Sequence, residues 1–324
     1  MRIVVALGGN ALLPKGEAQS MENQQKAIAT AARALADALY AGHHLLVIHG
    51  NGPRAAPADG AMPLEIPGAQ SGGWIGYMLE LALRNAFPEG AAVVSVLTQT
   101  LVAANDPAFA NPKKPVGPLY DEAAARRLEA LKNWPMAQEA DGWRRVVPTP
   151  RPLGIVEILV LKRLLNTGVT VLCADGGGIP VCAGADGELA GVEAVVDKDL
   201  TSAMLARQVE ADFFVMLTDV PGVYMDFGGK EQRIIACGDP GSMLAHACPL
   251  AAGSMRPKVE AACAFVQEAR RPAAIGGLAD LSEIIAGRRG TQIWPEGGRI
   301  SFHYPEILDL RPASLGGSTT VMYL

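Results

Sequence analysis

Lys198 sits between two carboxylates in the run Val196-Asp197-Lys198-Asp199-Leu200-Thr201, and the next apolar run, Phe213–Leu217, ends in Thr218-Asp219-Val220-Pro221-Gly222-Val223-Tyr224. A lysine offers a compact positive charge that can neutralise a migrating phosphoryl group, while carboxylates orient other lysines or hold a metal ion. A solvated charge run at a helix start is the plainer reading of the same residues. Placement favours chemistry, because open α/β sheets bind ligands at the carboxyl ends of their strands, where Asp219 would lie.

Three glycine turns extend the case. Gly8-Gly9-Asn10, His49-Gly50-Asn51-Gly52-Pro53 and Asp175-Gly176-Gly177-Gly178 each follow an apolar run. Glycine lets main-chain N–H groups approach an anion, and a helix N-terminus adds a favourable dipole. Each turn alone is explained equally well by close packing of a strand on a helix. None fits Gly-x-x-x-x-Gly-Lys-Ser/Thr, so a P-loop is excluded. Lys258 follows Pro257, which suits the start of a helix. A lysine in a first turn faces the unfavourable end of the dipole, and a bound anion would compensate it. Lys113 and Lys114 fall in a proline-rich stretch whose default is a solvated loop.

These residues need a sheet to hold them. Ile3–Leu7, Leu45–Ile48 and Ala91–Leu97 read as strands, separated by helices from Ser20 to about Tyr40 and from about Gly73 to Ala86. Alternating strands and helices imply a parallel sheet with right-handed crossovers. Residues 106–147 break the rhythm with prolines, charges, a helix over about 121–131 and an Arg144-Arg145-Val146-Val147 strand, as expected of an inserted flap. The rhythm resumes with a helix at about 155–165, strand 169–174, strand 179–182 with a turn at Asp186-Gly187, helix 199–208, strand 213–217, helix 257–269, strand 273–275 and helix 278–286.

A chain of 324 residues with 49% hydrophobic and 19% charged residues can bury the core of a soluble enzyme. Its net charge of −5 argues against a nucleic-acid partner held by phosphate contacts. The five cysteines are odd in number and show no Cys-x-x-Cys spacing, which implies reduced thiols and a cytoplasmic setting. No apolar run approaches the ~20 residues needed to span a bilayer, so no membrane association is expected.

Several segments, in order, resemble the carbamate kinases of the wider amino acid kinase family. They are Ala-Leu-Gly-Gly-Asn-Ala-Leu, His-Gly-Asn-Gly-Pro, Asp-Pro-Ala-Phe-Ala-Asn-Pro-Lys-Lys-Pro, Gly-Gly-Gly-Ile-Pro-Val, Gly-Val-Glu-Ala-Val-Val-Asp-Lys-Asp-Leu and Gly-Ser-Met-Arg-Pro-Lys-Val-Glu-Ala-Ala, within residues 2–293. The resemblance implies an open three-layer αβα sandwich with a mainly parallel sheet, dimeric, over residues 1–294. It makes 106–147 a protruding subdomain that closes over the site, and leaves 295–324 as a C-terminal extension. It implies reversible phosphoryl transfer between ATP and carbamate, often running from carbamoyl phosphate and ADP, with Mg²⁺ carried on the nucleotide phosphates.

By the same resemblance, Lys114, Lys198 and Lys258 stabilise the transferring group and Asp199 orients the lysines. Gly8, Gly9, Asn10, Gly50, Asn51 and Gly52, with Arg54 and Ser71, line the acceptor side. Gly176, Gly177, Gly178, Asp219, Tyr224 and Met255 shape the nucleotide side. Some residues depart from the family pattern. Arg54-Ala55-Ala56 replaces Gln-Val-Gly and precedes a shortened segment; Ser71-Gly72-Gly73 replaces Ser-Gln-Gly; Asp175 replaces a fourth glycine; Arg256 replaces a small residue. The first two concern the acceptor, where Arg54 would suit a larger or carboxylate-bearing substrate. Asp175 on the nucleotide side would need Mg²⁺ or Arg256 to compensate it. Another small-acid kinase and a catalytically silent nucleotide- or anion-binding regulator remain as alternatives.

Overall fold

The computed structural model describes residues 1–12, 20–50, 62–87, 92–247, 255–296 and 298–303. In the first half, strands β1 (Arg2–Leu7), β2 (His44–Ile48), β3 (Val93–Ser95) and β4 (Gln99–Val102) alternate with helices α1 (Gly9–Leu12), α2 (Met21–Tyr40) and α3 (Glu65–Ala86). Next come β5 (Lys114–Tyr120), α4 (Glu122–Lys132), β6 (Met136–Glu139), β7 (Gly142–Val147) and β8 (Pro152–Ile155). The second half holds α5 (Ile158–Asn166), β9 (Thr170–Cys173), β10 (Ile179–Ala183), β11 (Leu189–Gly191), α6 (Lys198–Gln208), β12 (Phe213–Thr218), β13 (Tyr224–Met225) and β14 (Arg233–Gly238). It ends with α7 (Pro240–Ala247), α8 (Met255–Ala269), β15 (Ala273–Gly277), α9 (Leu281–Ile285), β16 (Thr291–Ile293) and β17 (Ser301–Phe302).

The main sheet runs β3-β9-β2-β1-β12-β15-β16-β14-β13, and β17 adds to β14. From β3 to β15 every pairing is parallel. Strand β1 shows why this is a three-layer structure. Ile3, Val5 and Leu7 enter one core with Ile28, Leu35, Ile75 and Leu79 of α2 and α3. Val4 and Ala6 enter the other with Leu161, Leu205, Val259 and Phe265 of α5, α6 and α8. Alternate side chains of a strand point to opposite faces, so a wholly apolar strand must be covered on both. Because β2 and β12 flank β1 on opposite sides, the chain reverses direction around it, opening a crevice at the carboxyl ends of the strands.

Two smaller sheets stand apart. One is β11-β10-β4-β8, where β10 and β11 form the hairpin expected at Asp186-Gly187, with Gly187 at φ +85°. The other is β5-β7-β6. Helix α4 packs against it, and cation–π stacking fastens this unit: Arg126 lies over Trp143 at 4.4 Å and Arg145 over Trp134 at 4.1 Å.

Several elements differ from the sequence expectation. Helix α3 begins at Glu65 rather than near Gly73. Pro67 falls in its first turn, where no N–H is missed, and Gly68, Gly72, Gly73 and Gly76 depress helix propensity without stopping the helix. The 155–165 region is split, with Pro152–Ile155 a strand and the helix starting at Ile158. Strands β4, β5, β6, β13, β14 and β16 and helices α1 and α7 lie where the sequence predicts no such element.

Candidate functional site

Helices α6 and α8 bring their first turns together at the carboxyl edge of the sheet. Asp197 caps α6, its Oδ1 accepting from the N–H groups of Asp199 at 2.9 Å and Leu200 at 3.1 Å. That cap fixes Lys198 and Asp199 as the first two helical residues. Lys198 Nζ donates to Asp199 Oδ1 at 2.7 Å, and Lys258 Nζ donates to Asp199 Oδ2 at 2.9 Å. Asp199 and Lys258 are both buried.

Two ammonium groups on one carboxylate leave this trio with one positive charge in excess, with Asp197 beside it on the cavity wall. Burial raises the Asp199 carboxyl, but the two ammonium groups outweigh it and hold the carboxyl below its ordinary value. Burial pulls the Lys198 ammonium down; Lys258 adds to that pull, and Asp199 opposes it without cancelling it. Asp199 therefore stays ionised and is committed on both oxygens.

A cavity of about 500 Å³ opens onto this cluster. Lys114 and Arg144 reach it from β5 and β7, facing Lys198 and Lys258, and Gly176, Gly178, Asp175, His49 and Asp199 also line it. Glu65 and Asp197 line it too, and Arg144 pairs with Glu139 at 3.2 Å, so the cavity carries both signs of charge, with Lys114, Lys198 and Lys258 as the groups able to meet an anion. Cys173 also lines it, but burial, helped by Glu157, pushes its thiol up and leaves no thiolate nucleophile there.

The glycine turn after β9 is held by its neighbours. Thr100 Oγ1 and Thr201 Oγ1 donate to the Gly177 carbonyl at 2.7 and 3.2 Å. Gly177 has φ +107°, and a Cβ there would come 2.5 Å from the Val196 carbonyl oxygen. Only glycine fits this approach to the segment leading into α6. On the other side, Gly8 donates its N–H to Leu217 O at 3.0 Å. A Cβ on Gly50 would lie 3.4 Å from Gly9 Cα, so the turns after β1 and β2 pack directly together.

The remaining candidates are less concentrated. Gly8, Gly9, Gly50, Gly177 and Ser71 lie beside the cavity's walls without lining it; Ser71 is buried in α3 next to Gly72, which does line it. Asp219 follows β12, with Thr218 Oγ1 donating to its Oδ1 at 3.0 Å, Tyr224 packs edge-on to Phe227, and Met255 opens α8. These three also stand outside the cavity lining. Asn51, Gly52 and Arg54 lie outside the described residues, as does the side chain of Asn10.

Asp175 meets His49, with Nδ1 to Oδ1 at 2.8 Å, while Arg256 pairs with Glu260 at 2.8 Å. Arg144 was read only as part of a strand. Period-two alternation was the available signal, since it sends Arg144 and Arg145 to opposite faces. Arg144 meets the cavity, while Arg145 pairs with Glu193 at 2.8 Å. Glu193 also accepts from Leu64 N at 3.3 Å at the start of α3, and so links the β5-β7-β6 sheet to a helix of the main sheet.

The chain matches the amino acid kinase family over residues 1–277. It is 43% identical over 312 residues to the carbamate kinase of Haemophilus influenzae, covering 94% of this chain and 100% of that one. Against the carbamate kinase of Rhizobium meliloti identity is 44% over 314 residues, with 94% and 96% covered. The structure of carbamate kinase from Giardia lamblia bound to AMP-PNP superposes with a TM-score of 0.84 at 38% identity, covering 90% of this chain and 98% of that one.

Proposed function

The chain belongs to the amino acid kinase family, and from that membership we propose that it is a carbamate kinase-like phosphotransferase, moving a phosphoryl group reversibly between ATP and carbamate. The observation that carries the reading is the buried Lys198–Asp199–Lys258 cluster at the mouth of a cavity that Lys114 and Arg144 close from the other side.

In the direction from carbamoyl phosphate, a β-phosphate oxygen of ADP attacks phosphorus, the bond from phosphorus to the carbamoyl oxygen breaks, and carbamate leaves with that electron pair. Phosphoryl transfer asks the protein chiefly for positioning and charge neutralisation. Lys198 and Lys258 are the fixed donors to the transferring group, and Asp199 holds both ammonium groups before substrate arrives, so little reorganisation is needed. Lys114 adds a donor from the protruding body. The turns at Gly8-Gly9-Asn10 and Gly50-Asn51-Gly52, with Ser71 and Arg54, form the acceptor side. Gly176–Gly178, Asp219, Tyr224 and Met255 form the nucleotide side.

Mg²⁺ fits as an ion carried on the nucleotide phosphates, where it would neutralise phosphate charge. Both Asp199 oxygens are already taken by lysines, and Mg²⁺ keeps waters and substrate oxygens in preference to an all-protein cage. The body spanning 106–147 acts as a lid. Exposed Leu153, Val156, Leu159 and Val160 on β8 and around the start of α5 offer an apolar face that supports a homodimer. A cytoplasmic location accords with the free thiols of Cys173, Cys182, Cys237 and Cys263.

The test is ATP formation from ADP and carbamoyl phosphate with Mg²⁺, run beside acetyl phosphate and other small acyl phosphates. Preference for carbamoyl phosphate supports this reading. Turnover only with another acyl phosphate makes the chain a sister kinase, and nucleotide binding without turnover makes it a regulator.

A further inference from the structure

Asp175 has a carboxylate at the end of β9 whose side chain is 10% exposed and whose ion-pair partner, His49, is 2% exposed. Neither carboxylate oxygen has a hydrogen-bond partner among the described residues, and the closest group to Oδ1 across this contact is the His49 ring, with Nδ1 at 2.8 Å. The same nitrogen faces the Gly50 carbonyl at 3.5 Å. A carboxylate and a carbonyl are acceptors only, and both confront Nδ1, which selects the ring form with its proton on that nitrogen. The backbone repeats the connection, since Gly176 N donates to His49 O at 2.8 Å.

The room for this carboxylate comes from helix α3. A Cβ on Gly72 would stand 3.0 Å from both Cβ and Oδ2 of Asp175. Two departures from the carbamate kinase pattern, Gly72 for glutamine and Asp175 for glycine, thus meet in space.

We propose that Asp175 is a positioning residue for the acceptor turn: it holds His49 with its Nδ1 proton toward the Gly50 carbonyl, and Gly72 is the vacancy that admits it. The proposal rests on the carbamate kinase reading and on the placing of Gly50 at the acceptor side. It reassigns Asp175, since a carboxylate acting on the nucleotide would alter nucleotide affinity.

Two substitutions approach the contact from opposite sides. Asp175→Ala removes the carboxylate. Gly72→Ala keeps it but drives a methyl group against it, while alanine favours the helix interior and so acts against a loss of stability. In ATP formation from carbamoyl phosphate and ADP, Asp175→Ala is expected to raise the carbamoyl phosphate KM about tenfold, the scale of one lost polar contact. Gly72→Ala raises it in the same direction with an unchanged or higher Tm, and the ADP KM stays within about twofold in both. The double variant matches Asp175→Ala, because the clash has gone with the carboxylate.

An unchanged carbamoyl phosphate KM in both single variants, or a raised ADP KM in its place, overturns the proposal. Imidazole ¹⁵N spectra separate its failure from that of the functional reading. In the wild type His49 Nδ1 is expected to resonate as a protonated nitrogen, and in Asp175→Ala to move toward the unprotonated range. If the wild type makes no ATP from carbamoyl phosphate, the functional reading fails, and an Nδ1 signal unmoved by Asp175→Ala overturns the positioning role independently.

Discussion

Lys258 Nζ lies 2.9 Å from Asp199 Oδ2, joining the first turns of α8 and α6 although 59 positions separate the two residues. Both ammonium groups of the cluster sit at helix N-termini, where the dipole disfavours cations. Asp199 offsets that penalty for each, and a bound anion would complete the compensation. The site is therefore a charged cradle organised by one carboxylate.

Lys198→Ala is expected to lower kcat by about 10²-fold or more, as for loss of one strong transition-state donor, with a smaller effect on nucleotide KM. Asp199→Asn leaves two buried ammonium groups without their counter-charge and should cost about 3–5 kcal/mol of stability. Stopped assays and urea unfolding give the two readouts. Near-normal turnover in Lys198→Ala would remove that lysine from the mechanism.

The pH dependence follows from the same cluster. Lys198 is pulled below its ordinary value of 10.5, chiefly by burial. In the window between its folded value and 10.5 the unfolded chain binds the proton and the folded one does not, so this group makes stability rise with pH there. Asp199 works at the other end: its contribution is complete above 3.8 and is lost as pH falls through the lower folded value. Turnover needs the Lys198 charge, so the alkaline limb of kcat/KM, which reports the enzyme before substrate binds, should begin below pH 10.5. Lys198→Arg keeps a charge that does not titrate there and should move the limb upward at reduced kcat. A limb that stays in place assigns it to another group.

The central strands were legible because Ile3–Leu7 and Phe213–Leu217 are continuous apolar runs, which only a sheet covered on both faces requires. Lys198, Asp199 and Lys258 were legible as helix-start residues. Their shared hydrogen bonds were not, since spacing along the chain carries no information about which helix ends converge. Strands such as Thr291–Ile293 are too short to show a period. The Asp175–His49 contact was unreadable for a related reason: it joins the ends of β9 and β2, neighbours in the sheet but far apart in sequence. The long span of α3 was hidden by glycines that make room for side chains from other elements, as Gly72 does for Asp175.

Arg54 adjoins the acceptor turn in the sequence, and a guanidinium fork suits a carboxylate or phosphate. Arg54→Gln restores the residue usual in carbamate kinases and should change the acceptor KM more than the nucleotide KM. Each substrate is varied with the other saturating, across carbamoyl phosphate, acetyl phosphate and larger acyl phosphates. Equal parameters for every acceptor in both proteins would mean that Arg54 has no part in selection.

The protruding body is expected to close when the site fills. Lys114 and Arg144 line the cavity from that body, and its Arg145 is tied to Glu193, whose carboxylate also meets the start of α3. Closing would bring both cations onto the substrate and exclude water, which strengthens every charge contact inside. Hydrogen exchange over residues 114–147 should therefore slow when ADP and carbamoyl phosphate, or a non-reactive pair, are bound together, and less with either alone. Glu193→Gln weakens the tie at Arg145, so exchange in β7 should be faster before ligands bind. Because Glu193 is half exposed, the loss in stability should stay near the small values of surface pairs, below about 1 kcal/mol. Exchange that is indifferent to saturating ligands, in protein that still turns over, would leave the body a fixed wall of the cavity with Lys114 and Arg144 already in place.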